Sequence, residues 1–457
     1  MPVRATLRIS HVGIRGVVGP SGLTASHVVD FAAAFGTFLE RSAAVVIGRD
    51  QRSSGTMLRE GVIAGLASCG HDVVDLGLVS TPVIQHAIRR LDAEGGISIG
   101  ASHNAVEWNA LKFLGPGGVY LSTAEAGELL DIYHLRKFAF AEWNHLGKLR
   151  IEADAIDRYL DELAGVYDFE TLRRYKAVVD CCNGTSSLIL RRLNEKFGFR
   201  FILINEKIEG VWFAHEPATN SRTAALQLAP LVRPLGAAAG FLFDADADRV
   251  ALSTEEGVPV SEEMILPLLA DFLLPRGPGK LVITNLSTTA LLEEIARRHG
   301  GKVVRVPVGR QAAMDALARY PAEQIGVAGE GTGAVMMPRF RFVYDGIASM
   351  LAILQMMHER GQPLSAIVAG YPRFSILKGQ VELSPRRIPA LFAALRERYR
   401  DGRADSSDGL RVDWPDRWFH VRVSQTEPIV RVICERRGDA PLDLFDALMD
   451  EVRAYAA

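Results

Sequence analysis

Cysteine is scarce. The chain has four in 457 residues, at Cys69, Cys181, Cys182 and Cys434, without the spacing of a metal cage and each within apolar or strand-like sequence. That excludes a disulfide scaffold and predicts reduced thiols in the core. Charge of one sign is lacking too: 52 Lys and Arg face 54 Asp and Glu, a formal net charge of −2. Without a basic surplus there is no electrostatic footprint for a nucleic-acid backbone, so nucleic acid is not an expected partner. Long apolar runs are also missing; the stretch 235–243 ends at a charge, well short of the roughly 20 residues that span a bilayer. No membrane segment is expected. Arg4, Arg8, His11 and Arg15 break every candidate signal-peptide core near the start, which points to the cytoplasm. The sequons at Asn183 and Asn285 then call for no glycan.

What is present is an ordinary globular composition, 48% hydrophobic and 23% charged. At roughly 150 residues per domain, the length suggests about three domains. Short β-branched runs such as AAVVIGRD (43–50), DVVDLGL (72–78) and GISIGAS (96–102) alternate with amphipathic stretches, the pattern of βαβ units with a buried, largely parallel sheet. The pattern restarts at KAVVDCCNGTSS (176–187) and again at KLVITNLSTTALLEEIARRHG (280–300). After Pro372, strands follow one another without intervening helices, which predicts a smaller antiparallel α+β domain. The expected divisions are 1–150, 151–255, 256–370 and 371–457.

The sharpest chemical feature is FLFDADADRV (241–250), where Asp244, Asp246 and Asp248 alternate directly after an apolar strand. Three anions so close repel one another unless a cation intervenes, and alternation lets them converge on a hard divalent ion. A calcium-binding EF-hand has Glu255 in its favour at the twelfth position. Arg249 at the sixth, where glycine belongs, and strand-like flanks count against it. Magnesium at a catalytic centre is the better reading, and Arg249 could hold a phosphoryl oxygen or pair with a carboxylate.

In GISIGASHNAVEWNALKF (96–113) a strand runs into a polar elbow carrying Ser102, His103 and Asn104. Ser102 could be an exposed nucleophile or a helix cap. Lys112 offers a cation or a proton-transfer group. The glycine-spaced AGEGTGAVMM (328–337) places Glu330 and Thr332 where a carboxylate and a hydroxyl could bind sugar hydroxyls, or simply forms a turn. In VRVSQTEPIVRV (421–432), Arg422, Ser424, Gln425, Thr426 and Arg431 flank a Glu-Pro turn, as a phosphate cradle or an exposed hairpin.

Together, and in this order, these four segments resemble the α-D-phosphohexomutase superfamily, which includes phosphoglucomutase, phosphomannomutase and phosphoglucosamine mutase. GIRGVVG (13–19), IGRDQRSSG (47–55), DLGLVSTPV (75–83) and VVDCCNGTS (178–186) extend the resemblance over nearly the whole chain. It implies three similar α/β domains with mixed sheets and a smaller C-terminal α+β domain, arranged around one cleft to which each contributes a loop. It also implies a phosphorylated Ser102 and Mg²⁺ held by Asp244, Asp246, Asp248 and a phosphoserine oxygen. Hexose 6-phosphate and 1-phosphate would be interconverted through a bound hexose 1,6-bisphosphate, which also serves as activator. Glu330 and Thr332 would grip the sugar. Arg422, Ser424, Gln425, Thr426 and Arg431 would anchor its non-reacting phosphate. Lys112 would transfer the proton, with Arg15 and His103 near the phosphoserine and Arg249 near the transferred group. The partner is then a small phosphosugar, and the protein a monomer or homodimer.

Several positions depart from the family's usual pattern. Ala105 and Ala110 replace a proline and a glycine, Thr332 and Ala334 a serine and a histidine, Gln425 an asparagine, and Gln311 a basic residue. These changes resemble a prokaryotic subgroup with a Gly-Glu-Gly sugar loop, often assigned to phosphoglucosamine or phosphomannose chemistry. Two other readings compete: a Mg²⁺-dependent sugar phosphatase on the same aspartates, and a non-catalytic phosphosugar-binding protein suggested by Ala334 and Gln311.

Overall fold

The computed structural model describes residues 6–39, 44–337, 341–424, 429–440 and 442–456. In the first unit the runs Val73–Leu78, Val45–Arg49 and Gly95–Ile99 form a parallel core. They carry continuous apolar residues because helices cover a parallel sheet on both faces. Trp108–Leu114 and Gly13–Val17 then add antiparallel, with Arg8–Ser10 and Leu149–Ile151 at the two edges.

The second unit repeats this plan. Arg200–Ile204, Lys176–Asp180 and Ala239–Phe243 run parallel, and Val250–Thr254 and Pro259–Val260 follow antiparallel. So does the third, with Lys302–Val306, Leu281–Asn285 and Ile325–Gly329 parallel and Val335–Met337 and Arg341–Tyr344 antiparallel. The fold is therefore three α/β units with mixed sheets and one further sheet domain. In each α/β unit the last parallel strand turns back into its antiparallel neighbour, and those three turns are 100–107, 244–249 and 330–334. The serine, acidic and sugar-type segments thus occupy one topological position, at the carboxyl ends of parallel strands, where open α/β sheets bind ligands.

The fourth sheet, ordered Phe374–Glu382, Ile429–Arg437, Arg417–Val423, Leu410–Asp413 and Arg403–Asp405, is wholly antiparallel. Alternation along the strands sends Phe419, Val421, Val430 and Val432 into a core with Leu391, Leu395, Leu448 and Val452 of its two helices. Arg422 and Arg431 consequently lie on the opposite face, paired across the strands. This core is separate from the one that runs through the three α/β units. Polar contacts join it to the third unit: Arg411 donates to the Leu286 carbonyl, His420 Nδ1 lies 2.8 Å from Ser287 Oγ, and Ala290 N donates to Glu435 Oε2 at 2.7 Å.

All four cysteines are free. Asn183 and Asn285 are buried, so the sequons are inaccessible. Among the described residues no helix is long and apolar enough to cross a membrane.

The second and third units are tied through Tyr159, whose hydroxyl reaches Asp345 Oδ1 at 2.9 Å. Asp345 also caps the helix Gly346–Arg360 by accepting from Ala348 N. Both side chains are buried. Tyr159→Phe is expected to destabilise the chain by about 1–3 kcal/mol, the cost of withdrawing a donor from a buried acceptor. Scanning calorimetry checks this, and an unchanged unfolding midpoint would count against it.

Candidate active site

The serine turn begins at Gly100, where an added Cβ would lie 2.7 Å from Asp50 Oδ2, so the strand can leave the sheet only at a glycine. Ser102 follows with φ +46°, in the left-handed region that costs a non-glycine residue about 1 kcal/mol or more. No helix follows; the chain passes through a turn into Trp108–Leu114, so Ser102 is not a helix cap. Its backbone is not extended either, and the hydroxyl donates to Asp244 Oδ2 at 2.7 Å. Lys112 stands opposite Ser98 in the antiparallel pair and is buried, with its ammonium on Asp246 Oδ2. Thr81 Oγ1 donates to the same oxygen at 3.1 Å.

The acidic loop is a hairpin turn between Ala239–Phe243 and Val250–Thr254, not an EF-hand between helices. Ala247 takes φ +56°, which folds the loop so that one carboxylate oxygen from each of Asp244, Asp246 and Asp248 lies within 4.8 Å of the others. All three are buried. Arg249 N donates to Asp244 Oδ1 at 3.2 Å. Asp246 Oδ1 and Asp248 Oδ1 are buried without a hydrogen bond. Burial, reinforced by Asp248 and Asp246, pushes the Asp244 carboxyl well above the usual range. Burial works the same way on Asp246, but Lys112 outweighs it and holds that carboxyl below its usual range. The three cannot all ionise comfortably without another cation, and the all-oxygen donor set with unsatisfied lone pairs fits a hard divalent ion.

A cavity of about 270 Å³ brings together Arg15, Ser102, His103, Lys112, Arg249, Glu330, Arg422, Ser424 and Arg431. It continues into a larger lobe of about 630 Å³ that shares Glu330, Arg422 and Arg431. Thr332 lines only the larger lobe, and its hydroxyl is buried without a partner. The four segments thus meet in one cleft. Gln425 and Thr426 lie outside the described residues. Arg422 donates to Asp408 Oδ2 at 2.9 Å, and the same oxygen accepts from Val308 N of the third unit at 2.9 Å. Arg15 reaches Asn104 Oδ1 at 3.4 Å. The cationic field is strong: Arg249, burial and Arg15 together lower His103 to about 3, so its imidazole is neutral near pH 7 although the side chain opens to the cleft.

Three site residues escape sequence reasoning. Arg310 puts its guanidinium 3.4 Å from Asp248 Oδ2 and 4.0 Å from the centre of the Tyr120 ring. It supplies a cation one position before Gln311, whose amide instead donates to the His11 carbonyl at 2.8 Å. Tyr344 lines the smaller cavity with Ala334, and its hydroxyl donates to Glu330 Oε1 at 3.3 Å. Glu263 explains the glycine after Glu330: a Cβ on Gly331 would fall 2.1 Å from Glu263 Oε2. Burial raises the Glu263 carboxyl to about 7 even with Lys378, from the fourth domain, 2.7 Å away. The adjacent VGR of 308–310 was a signal for the first of these. Tyr344 and Glu263 carry none in sequence.

A buried acidic nest, a serine hydroxyl on it and an arginine-lined face in one multidomain cleft fit phosphoryl-transfer chemistry. Family comparison makes this specific. Residues 9–139, 157–257 and 261–374 match the models of phosphoglucomutase/phosphomannomutase α/β/α domains I, II and III, respectively. The chain is 34% identical over 436 residues to the phosphoglucomutase/phosphomannomutase of Thermococcus kodakarensis, covering 93% of this chain and 94% of that one. It is 33% identical to a probable phosphoglucosamine mutase of Pyrococcus abyssi, covering 93% and 92%. A crystal structure of a phosphoglucomutase/phosphomannomutase family protein from Burkholderia thailandensis superposes with a TM-score of 0.83 at 26% identity, covering 98% and 97%. The chain belongs to the phosphoglucomutase/phosphomannomutase family of the α-D-phosphohexomutase superfamily and is an isomerase of that type.

Lys112→Met leaves Asp246 buried without its counter-charge. In chelator-treated protein the substitution is expected to destabilise by about 3–5 kcal/mol, the range for breaking a buried pair from one side. Thermal unfolding in EDTA measures it, and a midpoint equal to the parent's would show that the pair is not needed there.

Proposed function

We propose that the chain interconverts hexose 6-phosphate and hexose 1-phosphate of the glucosamine, mannose or glucose type, through a phosphoserine at Ser102 and a bound hexose 1,6-bisphosphate. The observation that carries this is the 2.7 Å contact of Ser102 Oγ with Asp244 inside a cavity that also holds Arg422 and Arg431. A phosphatase working on the aspartates alone would have no use for that serine.

Asp244, Asp246 and Asp248, with an oxygen of the phosphorylated serine, would hold Mg²⁺, which supplies Lewis-acid neutralisation of the transferring group. Ser102 gives up its phosphoryl group to the substrate hydroxyl, which loses its proton while the departing Ser102 oxygen gains one. The reverse transfer, after the bisphosphate has turned around, returns the other phosphoryl group to Ser102 and a proton to the sugar oxygen. Arg249 and Arg310 line the reacting end and stabilise charge on the equatorial oxygens. Burial opposes charge on Lys112, but Asp246 raises its pKa above the ordinary lysine value, so it stands as an ammonium able to donate a proton or hold a phosphoryl oxygen. Glu330 and Thr332 bind ring hydroxyls. Arg422, Ser424 and Arg431, with Gln425 and Thr426, anchor the phosphate that is not reacting, which lets one anchor serve both orientations. Arg310 beside the acidic nest supplies the cation whose loss at Gln311 had suggested a non-catalytic protein.

Ser102→Ala is expected to abolish conversion of glucose 1-phosphate to glucose 6-phosphate in the presence of Mg²⁺ and a trace of the 1,6-bisphosphate. Retained turnover would eliminate the phosphoserine route. Arg310→Gln should lower kcat/KM by about 10²-fold, as loss of one preorganised charge-stabilising donor does, whereas Gln311→Ala should stay within about twofold; coupled-assay kinetics on both variants decide the matter. Mg²⁺ should raise the unfolding midpoint of the parent by mass action and leave Asp248→Asn nearly unmoved, read by scanning fluorimetry across a titration.

A further inference from the structure

Arg52 is a wholly buried arginine outside the cavity, with no surface charge to balance and no place among the groups assigned above. Parallel pairing of Val45–Arg49 with Gly95–Ile99, register Arg49 to Ile99, carries the two chains out of the sheet side by side. Asp50 therefore meets Gly100 and Ala101, and Arg52 meets the turn that holds Ser102. One Nη2 donates to the carbonyls of Ser102 at 2.9 Å and Asn104 at 2.7 Å, and Nη1 donates to that of Ala105. Nε donates to Asp50 Oδ2 at 3.0 Å, and the same oxygen accepts from Ala101 N at 3.3 Å. The ring of Phe213, from the second unit, lies 5.1 Å from the guanidinium centre.

A planar fork with fixed N–H directions suits this task, because it can gather several carbonyls into one arrangement as a lysine ammonium cannot. In a planar trans peptide the N–H points away from the C=O. Turning the Ser102, Asn104 and Ala105 carbonyls toward Arg52 thus turns the amides of His103, Ala105 and Val106 the other way. Stability alone is a weak reason for the arrangement, since a buried ion pair gains little net energy over an apolar filling. What it does fix is a turn whose serine takes an unfavourable φ of +46°.

We propose that Arg52 is a positioning residue for the reaction: its guanidinium holds the 102–105 turn in the one conformation that sets Ser102 Oγ on Asp244. Asp50 fixes the guanidinium and the start of the turn. The proposal deepens the phosphoserine reading of Ser102 and rests on it, while the conformational claim can be tested without turnover.

Two measurements on Arg52→Lys and Arg52→Ala test it. In the kinetic one, kcat is expected to fall by about 10²-fold, the penalty for a misplacement near 1 Å, with KM for the phosphosugar within about threefold because the Arg422 and Arg431 face is untouched. Methylguanidine added to Arg52→Ala should recover at least a tenth of the parent's kcat, and should not improve Ser102→Ala. A kcat within twofold of the parent in Arg52→Lys, or a parallel rise in KM without loss of kcat, would overturn the proposal. The second measurement is a crystal structure of Arg52→Lys, expected to show Ser102 Oγ beyond hydrogen-bonding distance of Asp244. A turn superimposable on the parent's would overturn the proposal even if the parent had no mutase activity, and an inactive parent with a displaced turn would overturn only the mutase reading.

Discussion

Mutual repulsion of three buried carboxylates is the constraint around which the cleft is organised. At 4 Å, two unit charges repel by about 4 kcal/mol at an effective dielectric of 20, and the acidic loop packs three such groups together. Their counter-charges and donors come from outside the loop as well as within it. Ser102 serves Asp244, Lys112 and Thr81 serve Asp246, and Arg310 approaches Asp248. The first three belong to the first α/β unit and the last to the third. Balancing one loop of the second unit therefore requires the units on either side to be docked against it, and the site and the interdomain arrangement are the same electrostatic solution.

Topology explains how three units can deliver groups to one point. Each places its working turn between the last parallel strand and the antiparallel strand that follows, so the same hairpin exit carries the serine, the aspartates or the sugar-type glutamate. Local sequence then adapts each turn. Gly100 clears Asp50, Ala247 bends the acidic loop with φ +56°, and Gly331 clears Glu263. The contacts that force the two glycines come from segments distant in sequence. A glycine in these turns consequently reflects a neighbour's side chain as much as its own backbone.

That distinction marks how far the sequence could be read. Strands such as Val45–Arg49 and Gly95–Ile99 are visible as β-branched runs because burial on both faces demands them, and the alternating aspartates are visible because nothing but a cation reconciles them. Whether Ser102 caps a helix or sits on the acidic nest was open in sequence, since the answer depends on Asp244, 142 residues away. Arg310, Glu263 and Arg52 were given no individual role in sequence for the same reason. Their importance lies in which partner they meet, and the register of parallel strands or the docking of domains sets that meeting without any local periodicity to announce it. Gln311 marked a missing cation in sequence, whereas the neighbouring Arg310 puts its guanidinium 3.4 Å from Asp248 Oδ2, a contact that only the fold reveals.

The fourth domain solves a different problem. In the proposed reaction the bisphosphate must turn around, so the groups that hold its far phosphate have to tolerate movement that the acidic nest cannot. Arg422 and Arg431 stand opposite one another on two antiparallel strands. Their sheet has its own hydrophobic core and meets the third unit through hydrogen bonds and ion pairs, with Phe374 also packing against the core of the α/β units. The polar part of such an interface separates at smaller cost than an apolar layer of the same size, because water substitutes for each polar partner, whereas apolar area costs about 25 cal/mol per Å² to expose. Asp408 sits on this boundary with one oxygen on Arg422 and on Val308 N, two residues before Arg310. In the proposed reaction a phosphate arriving at Arg422 would compete with that oxygen, so occupancy of the anchor and docking of the fourth domain would act on the same short segment that carries a cation to the acidic loop.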